Sequence, residues 1–141
     1  MTAVYGLFSR NVVLYNLDYY IDTGRIVHMD RLKVIVKALD DKRAENIDVL
    51  NISELTSLSD YFVICSCNSN VQVRACIDEV EEKMKENGFE PIHKEGYRGG
   101  NWVVLDFDDI IVHVMDKETR EFYALERLWD DAPRIEIDIE D

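Results

Sequence analysis

The chain has 141 residues, 47% of them hydrophobic, with 29 acidic and 16 basic side chains giving a formal net charge of -13. That size and composition suit one domain with one core. The charge argues against tracking a phosphate backbone, which requires clustered Lys and Arg, and fits either a basic partner or, more commonly, solubility alone. Three cysteines imply no disulfide framework, because Cys65 and Cys67 sit two apart in a strand-like run and cannot comfortably bridge; free thiols suit a reducing cytosol. No apolar run reaches the roughly 18 residues of a membrane span. The first segment contains Arg10, Asp18 and Asp22, which fit neither a secretory nor a transit signal, so a cytoplasmic location is expected.

Residues 1 to 28 carry Tyr5, Phe8, Tyr15, Tyr19 and Tyr20 without a sustained period and read as an appended, dispensable segment. The organised domain is expected from Met29 to about residue 135. Asp30 is placed to cap a helix whose Leu32, Ile35, Val36 and Leu39 share one face, with a solvated exit at Asp40–Arg43. Ile47–Ile52 reads as a short strand. The run Tyr61-Phe62-Val63-Ile64-Cys65-Ser66 reads as a central strand covered on both faces, since little polarity interrupts it.

Ser69 offers a cap for a second helix with the stripe Val73, Cys76, Ile77, Val80 and Met84, ending at Gly88. Glu90–His93 is a candidate strand, with Pro91 near its start or on an edge, and Glu95–Gly100 a glycine-rich turn. Trp102–Leu105 and Ile110–Val114 then form two apolar strands folded at the acidic tip Asp106-Phe107-Asp108-Asp109. Aspartates keep such a tip solvated, and an aromatic beside it reads either as core or as a surface awaiting a partner. From Asp116 or Lys117 a last helix is expected to bury Phe122, Leu125 and Trp129, turn Arg120, Glu121 and Arg127 elsewhere, and stop at Pro133. The alternating run Arg134–Ile139 fits an edge strand or a disordered tail, with residues 136 to 141 assigned to an acidic tail. The order of elements predicts one mixed sheet with helices packed on it.

Four chemistries can be drawn on these residues. Asp106, Asp108 and Asp109, joined by Asp60, could hold two magnesium ions for metal-dependent nucleotidyl transfer, yet no Gly-Ser cradle, phosphate loop or cation cluster accompanies them, and turn solvation explains the carboxylates. Cys65, Cys67, His93 and His113 lack zinc-site spacing, and His113 inside an apolar strand reads as a core histidine. Cys65 with His113 as base lacks a third orienting group. Arg98 beside Tyr97 reads as a solvated cation on a glycine loop rather than an anion clamp.

Taken together, Ser59-Asp60-Tyr61-Phe62-Val63-Ile64, Asn68-Ser69, Glu95-Gly96-Tyr97, Trp102-Val103-Val104-Leu105-Asp106, Val112-His113-Val114 and Phe122-Tyr123-Ala124-Leu125-Glu126-Arg127-Leu128-Trp129 resemble the ribosomal silencing factor, or Iojap, family over residues 29 to about 135. The resemblance implies an α/β domain with a mixed five-stranded sheet and flanking helices, a nucleotidyltransferase-like fold without its catalytic site, commonly a homodimer. It implies binding rather than catalysis, with no cofactor and no metal. The implied partner is the large ribosomal subunit, held through large-subunit protein fourteen with little direct nucleic-acid contact, so that small-subunit joining is blocked and translation repressed. The family pattern places the contact at Trp102 and Phe107. The acidic tip, Asp106, Asp108 and Asp109, complements a basic ribosomal protein. The family often has glycine where this chain has Asp108. Trp102 and Phe107 are five apart, so regular alternation opposes them and only the twist of the turn brings both to one surface.

Overall fold

In the computed structural model the backbone is described for residues 23–139 and the side chains for residues 29–139. The described residues from Leu32 onward group into one compact unit. The side chains of the appended segment, residues 1 to 28, lie outside the described residues, as does the end of the acidic tail.

Helix α1 spans Thr23–Asp41. It begins well before Asp30, which lies within it instead of capping it: the helical residues 23–29 include no proline, and their one glycine, Gly24, is tolerated in a helix at about 1 kcal/mol. The expected apolar face is present, with Leu32, Ile35 and Leu39 fully buried. Five strands follow in one sheet: β1 (Glu45–Asn51), β2 (Tyr61–Cys67), β3 (His93–Glu95), β4 (Trp102–Asp106) and β5 (Ile110–Asp116), in the spatial order β1-β2-β5-β4-β3. Only the β2–β5 pair is parallel. The expected mixed five-stranded sheet is therefore observed. Every residue of β2 is buried, as its uninterrupted apolar run predicted.

Strand β3 lies further along than the expected Glu90–His93. Pro91 lacks an N–H for a ladder, Ile92 contributes a single N–H to the Asp106 carbonyl, and regular pairing runs from His93↔Asp106 to Glu95↔Val104. Helix α2 (Asn70–Glu86) starts where Ser69 accepts the Gln72 N–H and buries the whole predicted stripe. Its Cys76 Sγ lies 3.6 Å from Cys67 Sγ, which places α2 over the sheet face carrying Cys65 and Cys67. Val36 of α1 lines a groove with Ile47 and Val49 at the same face of β1.

The opposite face is covered by α3 (Lys117–Tyr123), α4 (Leu125–Leu128) and the segment beyond them. The expected single last helix is broken. Asp116 caps it by accepting the Thr119 N–H, but Ala124 takes the left-handed conformation, φ 46° and ψ 51°, and ends the first piece after two turns. Beyond α4 the chain runs beside β1, with Asn51 N–H donating to Pro133 O and Ile135 N–H to Val49 O. Ile135, Ile137 and Ile139 are half-buried while Arg134, Glu136 and Asp138 are exposed. The alternation thus gives a strap with one β-bridge, Leu50↔Arg134, rather than a full edge strand.

Candidate functional site

Alternation along the hairpin divides its residues between two environments. Val103 and Leu105 of β4 point to the α2 side and are fully buried, while Trp102, Val104 and Asp106 point to the other side and are half-buried. Phe107 continues the Val103–Leu105 series and is 6% exposed. Of the two readings left open for the aromatic at the tip, core or partner surface, Phe107 takes the core one: the turn begins without reversing the alternation, so the ring enters the core and not the surface that Trp102 shares. The two sites expected to act together lie at opposite ends of β4.

The turn itself is tight. Phe107 N–H donates to Ile110 O at 2.8 Å, Asp109 N–H to Phe107 O, and Asp108 N–H to the Asp106 carboxylate at 2.7 Å. Asp108 has φ 78°, the left-handed region in which glycine is at ease and aspartate is tolerated better than most residues. Asp108 thus holds a turn conformation that suits glycine. Asp109 O accepts the N–H groups of Asp60 and Tyr61, tying the start of β2 to the tip. Asp106, Asp108 and Asp109 are consequently organised as a turn. No group of three or more His, Cys, Asp or Glu side chains among the described residues is arranged to hold a metal ion.

At the other end of β4, Trp102 sits in an aromatic chain. Its indole centroid is 5.0 Å from Tyr123 and 5.9 Å from His113; Tyr123 is 5.0 Å from Phe122, His113 is 4.7 Å from Phe62, and Phe62 is 5.4 Å from Trp129. The chain leads from the surface to the interior: Phe122 is 79% exposed and Tyr123 55%, while Phe62 and His113 are buried. Leu128, 76% exposed, adds to the apolar surface of the α3–α4 segment. Loops supply the approach on the β3 side, where Gly96 is required because a Cβ there would meet the Trp102 carbonyl oxygen at 2.2 Å and its φ is 84°.

Phe122 was expected to lie inward with Leu125 and Trp129. The break at Ala124 rotates the two pieces relative to a continuous helix, so Leu125 and Trp129 pack on the core while Phe122 faces out. Arg120, read from sequence as merely turned elsewhere, fixes this arrangement. Its side chain is 11% exposed and contacts Glu126 beyond the break at 2.6 Å, Asp48 of β1 at 2.8 Å, the Ser66 hydroxyl at 3.0 Å and the Asn46 carbonyl. A sequence offers little warning of this, because its β1 partners are 72 and 74 residues away. The only available signal was the acidic residue in β1, a strand otherwise apolar at its centre.

The other constellations come apart. Cys65 and His113 occupy opposite faces, since Ile64 and not Cys65 is the residue paired with His113. His93 is exposed on β3, far in the sheet order from Cys65 and Cys67. Hydrogen bonding with Cys65 and burial push the Cys67 thiol up to about 12, and the hydrogen bond with Cys67 holds Cys76 higher still, so these groups stay protonated. Tyr97 donates to the Asp78 carboxylate at 3.0 Å, and Arg74 to the Arg98 carbonyl, which makes that loop a structural attachment to α2.

The fold is a small mixed α/β sheet, closed by helices on one face and half-closed on the other, with an aromatic surface at the margin. Residues 26–141 match the family model described as ribosomal silencing factor during starvation. The chain is 42% identical over 107 residues to ribosomal silencing factor RsfS of Bacillus subtilis, covering 76% of this chain and 91% of that protein. It is 40% identical over 111 residues to the protein of the same name from Halalkalibacterium halodurans, covering 79% and 95% respectively. A crystal structure of a Chromobacterium violaceum protein superposes with a TM-score of 0.70 at 37% identity, covering 72% of this chain and 84% of the other. The chain belongs to the ribosomal silencing factor family. No helix among the described residues is long and apolar enough to cross a membrane.

Proposed function

We propose that this protein is a cytoplasmic translation repressor that binds the large ribosomal subunit through its protein fourteen and thereby blocks joining of the small subunit. The observation that carries this reading is the half-covered aromatic face, in which Trp102 is braced by Tyr123, itself packed against the exposed Phe122. Large exposed apolar side chains grouped on one side of a small domain are the usual mark of a protein contact, with aromatic anchors carrying most of the binding energy. The acidic turn of Asp106, Asp108 and Asp109 steers a basic partner, and the net charge of -13 disfavours direct contact with ribosomal RNA. Phe107 supports the turn from the core. The protein acts as a homodimer, without catalysis or cofactor, and residues 1 to 28 are dispensable for subunit binding.

Co-sedimentation with separated ribosomal subunits tests the reading. Wild type is expected to travel with the large subunit alone, and Trp102→Ala to lose at least roughly thirtyfold in affinity, the scale of a buried aromatic anchor. Neutralising Asp108 or Asp109 should slow association at low salt with little effect at high salt. Subunit joining still blocked by folded Trp102→Ala and Tyr123→Ala variants at wild-type concentrations would move the contact to another face.

A further inference from the structure

The indole N–H of Trp102 donates to Nδ1 of His113 at 3.1 Å. An indole nitrogen is a donor only, so Nδ1 is the acceptor and the proton of the neutral imidazole resides on Nε2. That Nε2 is buried and has no hydrogen-bond partner among the described residues, in a side chain only 7% exposed. An unpaired buried N–H is costly, and an apolar side chain would fill this site, among Phe62 and its neighbours, without that cost. What an apolar side chain lacks is the acceptor for Trp102.

We infer that His113 is a positioning residue for the partner contact: it turns the one polar atom of Trp102 inward and presents the carbon perimeter of the indole to the partner. This rests on the reading of Trp102 as the anchor. Without an inward acceptor the indole N–H would seek water or a partner group, and the ring would be free to take other rotamers. With it, the anchor is preorganised before binding, so less ordering entropy is lost on contact. The partner's matching pocket is therefore apolar, with no acceptor opposite the indole nitrogen.

His113→Leu removes the acceptor and keeps an apolar fill, whereas His113→Asn places an amide oxygen where Nδ1 stood. Exchange of the Trp102 indole proton, assigned by comparison with Trp102→Phe in ¹⁵N-labelled protein, should be slow in wild type, fast in His113→Leu and slow again in His113→Asn. Affinity for purified large subunits should fall about tenfold in His113→Leu, the scale of one lost hydrogen bond, and return to within about threefold of wild type in His113→Asn. Fast exchange in the wild type overturns the inference without any variant, even if His113→Leu does not fold. Wild-type affinity in His113→Leu, or protection without affinity in His113→Asn, also overturns it. A Trp102→Ala variant that binds normally overturns the contact reading and this inference together; a weak Trp102→Ala beside a wild-type-like His113→Leu overturns this inference alone.

Discussion

The two faces of the central hairpin are built from the same ten or so residues of β4 and β5 and differ in what covers them. On one face Val103, Leu105, Val112 and Val114 are fully buried, under α2, whose stripe runs for about three turns. On the other, Trp102 and Val104 are half-buried, because the helix meant to cover them breaks at Ala124 and its two pieces reach only part of the sheet. A continuous amphipathic helix closes a sheet; a broken one leaves a margin, and in this protein the margin holds the aromatic side chains. Coverage, rather than composition, separates the structural face from the candidate binding face.

The largest test of that contrast is Phe107→Ala. Phe107 belongs to the closed side, and removing a buried phenylalanine costs about 3 to 5 kcal/mol, which should lower Tm by roughly 10 °C or more for a domain of this size. The folded fraction should keep its affinity for large subunits. Normal melting with lost affinity would put Phe107 on the binding face after all and erase the division. Next in size is Arg120→Ala, which leaves Glu126 without its guanidinium and Asp48 with only that of Arg134, and should cost about 2 to 3 kcal/mol. Arg120→Lys should recover little, since one ammonium cannot serve four acceptors in different directions. The loss should appear as faster amide exchange in α3 and around Trp102, leaving α2 and its stripe protected; equal loosening of both faces would mean that Arg120 holds the whole domain rather than the open side.

The closed face was legible from sequence and the open one was not. An uninterrupted apolar run at Tyr61–Cys67 and a 3.6-residue stripe in α2 state their burial directly, because local period and tertiary environment agree. Phe107's inward placement was also present in the alternation, which already opposed it to Trp102. The break at Ala124 carries no breaker residue, only an alanine at φ 46°, and Arg120 links the pieces on either side of it through Glu126 and reaches β1 across a long sequence separation. His113 was read as a core residue, which it is; its bond to Trp102 follows from the hairpin register, Trp102↔Met115 and Val104↔His113, and needs the turn to be fixed first. The carboxylates at the tip and the cysteines suggested chemistry by type alone, and the fold sends them to a turn and to the closed face.

A smaller effect distinguishes the faces by pH. Burial holds His113 down to about 4, against an ordinary value of 6.5. Above pH 6.5 the ring is neutral folded or unfolded and contributes no pH dependence. As pH falls below 6.5 the unfolded chain takes a proton that the folded protein refuses, so stability declines until the folded ring itself protonates near 4. The decline from this residue amounts to up to about 3 kcal/mol across that window. Subtracting the urea midpoints of His113→Phe from those of wild type between pH 7 and 4 removes the common carboxylate contribution. A flat difference would show that the open side admits a proton more readily than its burial implies.

The smallest effect belongs to the turn that joins the faces. Asp108 stands at φ 78° with its backbone N–H on the Asp106 carboxylate, so the conformation suits glycine and the hydrogen bond does not require the Asp108 side chain. Asp108→Gly should relieve left-handed strain in the folded state while adding freedom to the unfolded chain, and the two nearly cancel, leaving a change within about 1 kcal/mol. Asp108→Ala gains nothing from either and should be less stable than both by about that amount. Asp108→Asn keeps the tolerance for the left-handed region and removes only the charge. Melting should therefore rank glycine and aspartate together above alanine, while association with the large subunit at low salt should rank aspartate above asparagine and glycine alike. If asparagine associates as fast as aspartate, the turn acts through its shape alone, and the charge at Asp108 has no part in steering the partner towards the open face.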